Sequence, residues 1–277
     1  MRLEMKKDNQ NKQGFLRRIL ILNFLFFLGV ISLSPVQKTR YKRTPFKDGE
    51  ILSYKVKWGF IRIGTVEISQ RIMNLSYSSL YLVQLRAKSS TFKVFLDADS
   101  PTSMSFVMEE DKQNGNVKAY LYDKQNHLVL MKTWQNKRLV QNTALSYQDA
   151  YYDLLDLMMM MRCLSESGAS ITLPTIVDSG IKKTYLTFSD DVKNIKVAAV
   201  ERTIQARQVK GVAGWKAWGG LSGPFEGWFS DDEAAIPLKI QLRVSLGSIT
   251  LELERVHRPD WAVPEAKQIL TKTNPER

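Results

Sequence analysis

The side chains that could do chemistry in this 277-residue chain are few. Most are carboxylates in close sequence pairs: Asp97 with Asp99, Asp190 with Asp191, and Asp231, Asp232 and Glu233 in a row. Paired carboxylates suit two tasks, holding a hard cation such as calcium through oxygen, or sharing acid and base roles in glycoside cleavage. All three groups fall where the pattern predicts turns, and aspartate at a turn ordinarily hydrogen-bonds nearby backbone. His127 and His257 are the only histidines, one at a turn and one at the start of a polar tail. Cys163 is the only cysteine, so no intramolecular disulfide or cysteine-rich metal site can form, and its neighbours Met161 and Leu164 predict a buried thiol. Gly220-Leu-Ser-Gly223 is one residue short of a nucleophile elbow, and there is no His-Glu-x-x-His, phosphate loop or dinucleotide fingerprint. The expectation is no cofactor, no metal site and no designated catalytic residue.

The elements that must position these groups are mostly strands. Residues 146–164 are the one long stretch after the N-terminus that reads as helix, with Ser146 as N-cap, Asp149 at the positive end of the helix dipole and Gly168 as a stop signal. Its second half, Leu154 to Met161, is apolar almost all round and must be covered on more than one side. The run Met158 to Met161 reads as core filling or as a soft binding surface. Before the helix, Leu52, Tyr54, Val56 and Trp58 alternate with Ser53, Lys55 and Lys57, the signature of a strand with one wet face, and Gly59 to Gly64 reads as the turn that follows. Strands over 65–69, 81–87, 92–96, 104–109, 117–122 and 128–134, separated by turn residues, predict an antiparallel meander. After the helix come strands over 171–172, 182–188 and 193–204, then a glycine- and tryptophan-rich segment, 211–224. That segment is either a ligand mouth or a loop whose Trp215 and Trp218 plug one end of a barrel. A hairpin of 237–246 with 249–256 completes the sheet. The expected fold is mostly β: a strongly curved antiparallel sheet or barrel-like fold with one central helix packed against it.

The net charge of +12 suggests nucleic acid until it is located. Residues 1–43 hold ten basic and two acidic residues, which leaves only +4 for the other 234. No concentrated phosphate-binding stripe remains, so no nucleic-acid partner is expected. Residues 19–34 form an apolar run flanked by basic residues, short for a full membrane span and well suited to an export signal. The organisation expected is a signal peptide or N-terminal membrane anchor (1–34), a basic linker (35–45), a β domain (46–256) and a polar tail (257–277). The address expected is the periplasm, free or anchored to the inner membrane through residues 19–34 if that segment is retained.

Three stretches resemble a family of exported bacterial proteins, DUF3108. Pro45-Phe-Lys-Asp-Gly-Glu-Ile-Leu-Ser-Tyr, continuing to Trp58 and Gly64, is similar to its opening pattern. Residues 149–162 occupy the place of its short helical stretch ending in Arg. Gly227-Trp-Phe-Ser-Asp-Asp-Glu-Ala-Ala-Ile-Pro237 is similar to its closing pattern. The resemblance implies an exported, mostly β domain with no activity or catalytic residues to carry over. It also marks Gly49, Glu50, Tyr54, Trp58, Gly64, Asp231, Asp232 and Pro237 as motif residues, read as structural.

A curved sheet covered by one apolar helix leaves a natural cavity. The leading expectation is therefore non-catalytic binding of an apolar or amphipathic molecule, such as a lipid, with Trp58, Trp134, Met158, Met159, Trp215, Trp218 and Trp228 as candidate lining. The alternatives are a structural scaffold that binds another envelope protein and, ranked last, a carboxylate-based hydrolase.

Overall fold

A computed structural model of the chain describes residues 45–263, apart from 75–78, 89, 98–102, 111–114, 124, 148–150, 178–179, 216–221 and 245–246. The apolar run 19–34, most of the linker and most of the tail lie outside the described residues. Those described form fourteen strands and one helix: β1 (Ile51–Trp58), β2 (Ile61–Asn74), β3 (Ser79–Ala87), β4 (Ser90–Asp97), β5 (Ser103–Glu110), β6 (Val117–Asp123), β7 (Leu128–Gln135), β8 (Arg138–Ser146), α1 (Leu154–Leu164), β9 (Ser170–Val177), β10 (Gly180–Ile195), β11 (Ile204–Ala213), β12 (Gly223–Ser230), β13 (Pro237–Val244) and β14 (Gly247–His257). Among these residues no helix is long and apolar enough to cross a membrane.

The strands make one curved sheet that is not closed, in the order β8 down to β1 and then β14 down to β9. Two meanders are thus joined where the first strand pairs with the last, Tyr54 opposite Leu253 and Trp58 opposite Ile249. Strands β8 and β9 are the free edges, and α1 lies in the chain between them. The segment entering α1 covers part of one edge: Tyr152 N donates to Pro174 O at 2.9 Å, and Ile176 N donates to Tyr152 O at 2.9 Å. Proline suits that edge because its missing donor faces away from the ladder.

Every neighbouring pair is antiparallel, so the connections alternate between two ends of the sheet. At the hairpin end lie the β1–β2, β3–β4, β5–β6, β7–β8, β9–β10, β11–β12 and β13–β14 connections. At the helix end lie the remaining connections, the residues before β1 and after β14, and both termini of the segment that carries α1. One core takes in buried residues from every strand except β8, together with Leu155 and Leu157 to Met161 of α1. Residues 155–163 of α1 are buried throughout, as an apolar surface on all sides requires.

Three expectations about elements need correction. Ser146 is the last residue of β8, and α1 begins eight residues later with Asp153 as its N-cap. Residues 138–146 continue the meander through the Asn136-Lys137 turn, where both residues have positive φ (49° and 66°), as the two-residue hairpin turn that matches strand twist requires. The strand expected over 193–204 is two strands, β10 ending at Ile195 and β11 starting at Ile204. The turn expected over 59–64 narrows to Gly59 and Phe60, with β2 starting at Ile61.

The core and the free edge should respond differently to truncation. Met159 is fully buried, and Met159→Ala should lower the unfolding free energy by about 2–5 kcal/mol. Leu139, half exposed on β8, should tolerate Leu139→Ser to within about 0.5 kcal/mol. Urea unfolding of the two variants checks the contrast.

Candidate functional site

The most constrained chemistry in the described residues gathers at the helix end. Gly49 turns the chain into β1 with φ of +76°, a conformation that favours glycine, and Gly49 N donates to Gln70 O at 3.1 Å. The next residue, Glu50, is fully buried. Arg162, in the last turn of α1 and also fully buried, meets it as a two-pronged pair, Nη1 to Oε1 at 2.7 Å and Nη2 to Oε2 at 2.9 Å. Arg258, just beyond β14, donates to Glu50 Oε2, and Gln70 Nε2 donates to Oε1. Arg162 spends its remaining donors on the loop between β12 and β13, Nη2 to Ala234 O at 2.9 Å and Nε to Ala235 O at 3.2 Å. Tyr54 Oη reaches the same loop, donating to Pro237 O at 2.9 Å.

Burial alone would raise the Glu50 carboxyl; the two guanidiniums outweigh it and hold the group below the usual glutamate range. A depressed folded value means that this contribution to stability is present above the ordinary carboxylate range and is lost as pH falls through the folded value. The loop that Arg162 grips is shaped by its own side chains. Asp232 Oδ1 accepts from Ser230 Oγ at 2.8 Å and from Ala235 N at 2.9 Å, and Asp232 Oδ2 accepts from Trp261 Nε1 at 2.9 Å. Ser230 Oγ accepts from Ile236 N at 2.7 Å, and Asp231 Oδ1 accepts from Arg207 Nε at 2.7 Å.

A second polar centre holds the N-terminus of α1. Asp153 Oδ1 accepts from the backbone of Leu155 at 2.8 Å and of Asp156 at 3.0 Å, while Asp156 Oδ2 accepts from Asp153 N at 3.2 Å, a reciprocal capping box. Ser103 Oγ at 2.7 Å and Tyr122 Oη at 3.3 Å donate to Asp153 Oδ2. Asp156 is fully buried, and its Oδ1 has no hydrogen-bond partner. Burial, reinforced by the neighbouring Asp153 carboxyl, pushes its pKa well above the usual aspartate range. This second centre is also at the helix end, where β5 begins and β6 finishes. The helix therefore crosses that end, from β5 and β6 to the residues flanking β1, β12, β13 and β14.

The candidate lining residues do not converge. Met158 and Met159 are buried on α1. Trp58 is 47% exposed at the end of β1, and Trp134 is half-buried near the end of β7. Trp215 is half-buried just after β11, its Nε1 donating to Thr184 Oγ1 at 2.8 Å. Trp228 is half-buried on β12 with Lys239 Nζ 5.3 Å from its ring centre, and Trp218 lies outside the described residues. Trp58, Trp134 and Trp215 share the hairpin end; Trp228 lies toward the other. Gly64 is half-buried on β2, opposite Val56.

The remaining groups that could do chemistry are dispersed. Asp97 ends β4, Asp99 is outside the described residues, and Asp190, Asp191 and Glu233 are exposed. His127 is exposed in a turn with φ of 51°, edge-on to Tyr147 at 5.5 Å. His257, exposed at the end of β14, lines an open groove with Glu67 and Glu254. Burial pushes the Cys163 thiol up to about 12, so it stays protonated at neutral pH. Among the described residues no group of three His, Cys, Asp or Glu side chains could hold a metal ion. Sequence reasoning passed over Gln70, Arg258, Asp153 and Asp156. A readable signal existed only for the last two, an Asp-x-x-Asp preceding an apolar run.

The profile of the family described as "Protein of unknown function (DUF3108)" matches residues 53–254, and the chain belongs to that family. No curated protein matches. Among solved structures the chain is similar to a β-barrel-like protein of the DUF1849 domain of unknown function from Brucella abortus. That likeness has a TM-score of 0.51 at 12% identity and covers 78% of this chain and 100% of that one. It is also similar, at a TM-score of 0.29 and 10% identity, to the hypothetical protein CT021 from Chlamydia trachomatis, over 80% of this chain and 93% of that one. The first likeness shows the barrel-like fold alone.

Both polar centres are open to test. Arg162→Met leaves Glu50 buried with only Arg258 and Gln70 as its side-chain partners and should cost about 3–5 kcal/mol in urea unfolding at pH 7. Adding Glu50→Gln should cost less than the two single changes summed; strict additivity would contradict the pairing. For Asp156, the folded carboxyl keeps its proton at a pH where the unfolded chain has lost it, so stability falls as pH rises through the folded value. Asp156→Asn keeps the cap acceptor and removes that dependence. Its stability relative to wild type should increase as pH rises above the ordinary aspartate range, until the folded group loses its proton.

Proposed function

We propose that this protein is an exported envelope protein that binds an apolar or amphipathic molecule without transforming it. The observation that carries the reading is the division of labour between the two ends. The helix end is built from buried ion pairs and a crossing helix, with Ile51, Ile72, Met73 and Leu154 partly exposed around it, whereas the larger share of exposed apolar side chains is at the other: Trp58, Phe60, Ile61 and Ile63 around the β1–β2 turn, Leu139 and Val140 next to the β7–β8 turn, and Tyr185 opposite Val212 on β10 and β11. Trp215, just after β11, is at that same end. Monomeric proteins rarely leave such apolar surface uncovered without a use for it. Asp231 and Asp232, the carboxylates a hydrolase would need, are engaged by Arg207, Ser230, Ala235 and Trp261, which weighs against catalysis there. The apolar run 19–34, followed by a basic linker, supports an address outside the cytoplasm.

A second reading, an envelope scaffold, is favoured by β8. It is a nine-residue free edge, exposed along almost its whole length, and such an edge can accept a strand from another chain.

Native mass spectrometry of the full chain, isolated from envelope extract in mild detergent, separates the two readings. A discrete lipid-sized adduct that is diminished in Trp215→Ala, with the fold intact by circular dichroism, is the expected result. An adduct-free mass after incubation with envelope lipid would contradict ligand binding. A stoichiometric protein complex abolished by Ala144→Pro, which removes a backbone donor from the outer side of β8, would favour the scaffold.

A further inference from the structure

The β1–β2 hairpin is an apolar spike held rigid. Phe60 at its tip is 93% exposed, and Trp58, Ile61 and Ile63 are each about half exposed. Side chains so placed contribute little to folding. The hairpin is not a fraying loop, however, because β1 pairs with β14 on one side and β2 on the other. Gly59 N donates to Ser248 O at 3.0 Å, and Arg62 grips Glu254 through both carboxylate oxygens at 2.7 and 2.9 Å.

Acidic charge is distributed unevenly along the same axis, whereas exposed basic side chains occur at both ends, Arg71, Lys193, Lys196, Arg202 and Arg255 toward the helix end. Lys88, Lys137, Arg138, Lys182, Lys210 and Arg243 are exposed on or beside the hairpin-end connections and make no ion pair with a described residue. They are spread over β3 to β13 and so form a rim, with no single charged face. The acidic groups nearest the spike are neutralised, Glu252 by Lys55 and Lys57 and Glu254 by Arg62. Further round the rim, Glu109 pairs with Lys93, Glu110 accepts from Asn116, and Glu226 accepts from Gln208. Every described aspartate, from Asp48 to Asp260, is on α1 or toward the helix end.

A protruding apolar tip inside a basic rim matches a plane with an apolar interior and an anionic face. We infer that the hairpin end docks on an anionic bilayer, with Phe60, Trp58, Ile61 and Ile63 entering the interfacial layer and the rim lysines and arginines meeting lipid phosphates. This goes beyond ligand binding and stands without it: a protein with no cargo would still dock.

The test uses the full chain with an environment-sensitive fluorophore attached at Phe60→Cys, and in a control protein at Asp190→Cys, toward the other end of the sheet. The native Cys163 is buried and protonated and does not compete. The residue 19–34 segment can hold the chain on any vesicle, so the readout is the environment of the label and not co-sedimentation. On phosphatidylglycerol-containing vesicles the label at position 60 should shift to the blue, gain emission severalfold and be quenched by acyl-chain nitroxides. The label at position 190 should not change. Raising salt to about 0.5 M should reduce the response severalfold. A label at position 60 that stays aqueous on vesicle-bound protein would overturn the inference while leaving ligand binding untouched. An equal response on phosphatidylcholine alone would overturn its electrostatic half. Burial of the label only on adding lipid-free envelope protein would reassign the spike to a protein partner.

Discussion

The structure depends on the two-pronged ion pair between Glu50 and Arg162, through which, among the described residues, the start of the sheet, the end of the helix and the β12–β13 loop are tied together. Both groups are fully buried, so neither is tolerable alone; the desolvation of each is offset only because Arg258, Gln70 and two loop carbonyls complete the hydrogen bonding. Such a pair adds little net stability compared with an apolar core, but it is specific. Only one placement of α1 brings Arg162 to Glu50 and to Ala234 and Ala235 at once. The capping box at Asp153 and Asp156 fixes the other end of the same helix. Together they determine that α1 crosses one end of the curved sheet.

Once that end is committed, the chemistry-bearing residues of the chain are largely accounted for. Asp231 and Asp232 shape the loop that Arg162 grips, Tyr54 holds its last carbonyl, and Cys163 is a buried thiol beside the pair. Glu50 of the opening stretch, Arg162 of the helical one and Ala234 and Ala235 of the closing one are far apart in sequence, Glu50 and Arg162 being separated by 112 residues, and they meet at this one node. The opposite end is free of those constraints, and there the most exposed of the large apolar side chains lie, beside basic residues and away from the described aspartates. A function located at the hairpin end can change without disturbing the node.

How much of this was legible differed by element, for physical reasons. The all-round apolar run from Leu154 to Met161 announced a covered helix, and its burial follows. The start of the helix was misplaced because Ser146-x-x-Asp149 imitates a cap as well as Asp153-x-x-Asp156 does, and only the register with β7 decides between them. Strand β8 carried no period-two signal because a free edge with both faces wet has no buried side to encode. Alternation in β1 was read as one buried face, yet Leu52 and Tyr54 are buried while Trp58 emerges on the same face, because the hairpin outruns the core. The burial of Glu50 and Arg162 was not readable from either residue alone. Each looks like an ordinary surface charge until a distant partner is brought to it, and Gln70 and Arg258 carried no signal at all.

The central claim is that one end of the sheet is given to structure and the other to binding. Hydrogen exchange of the full chain, with and without vesicles of envelope lipid, tests it most directly. Slowed exchange at residues 56–64 and 210–215, with α1 and residues 230–237 unchanged, is the outcome the account predicts. Protection gained at α1 or 230–237, with the hairpin end unaffected, would contradict it.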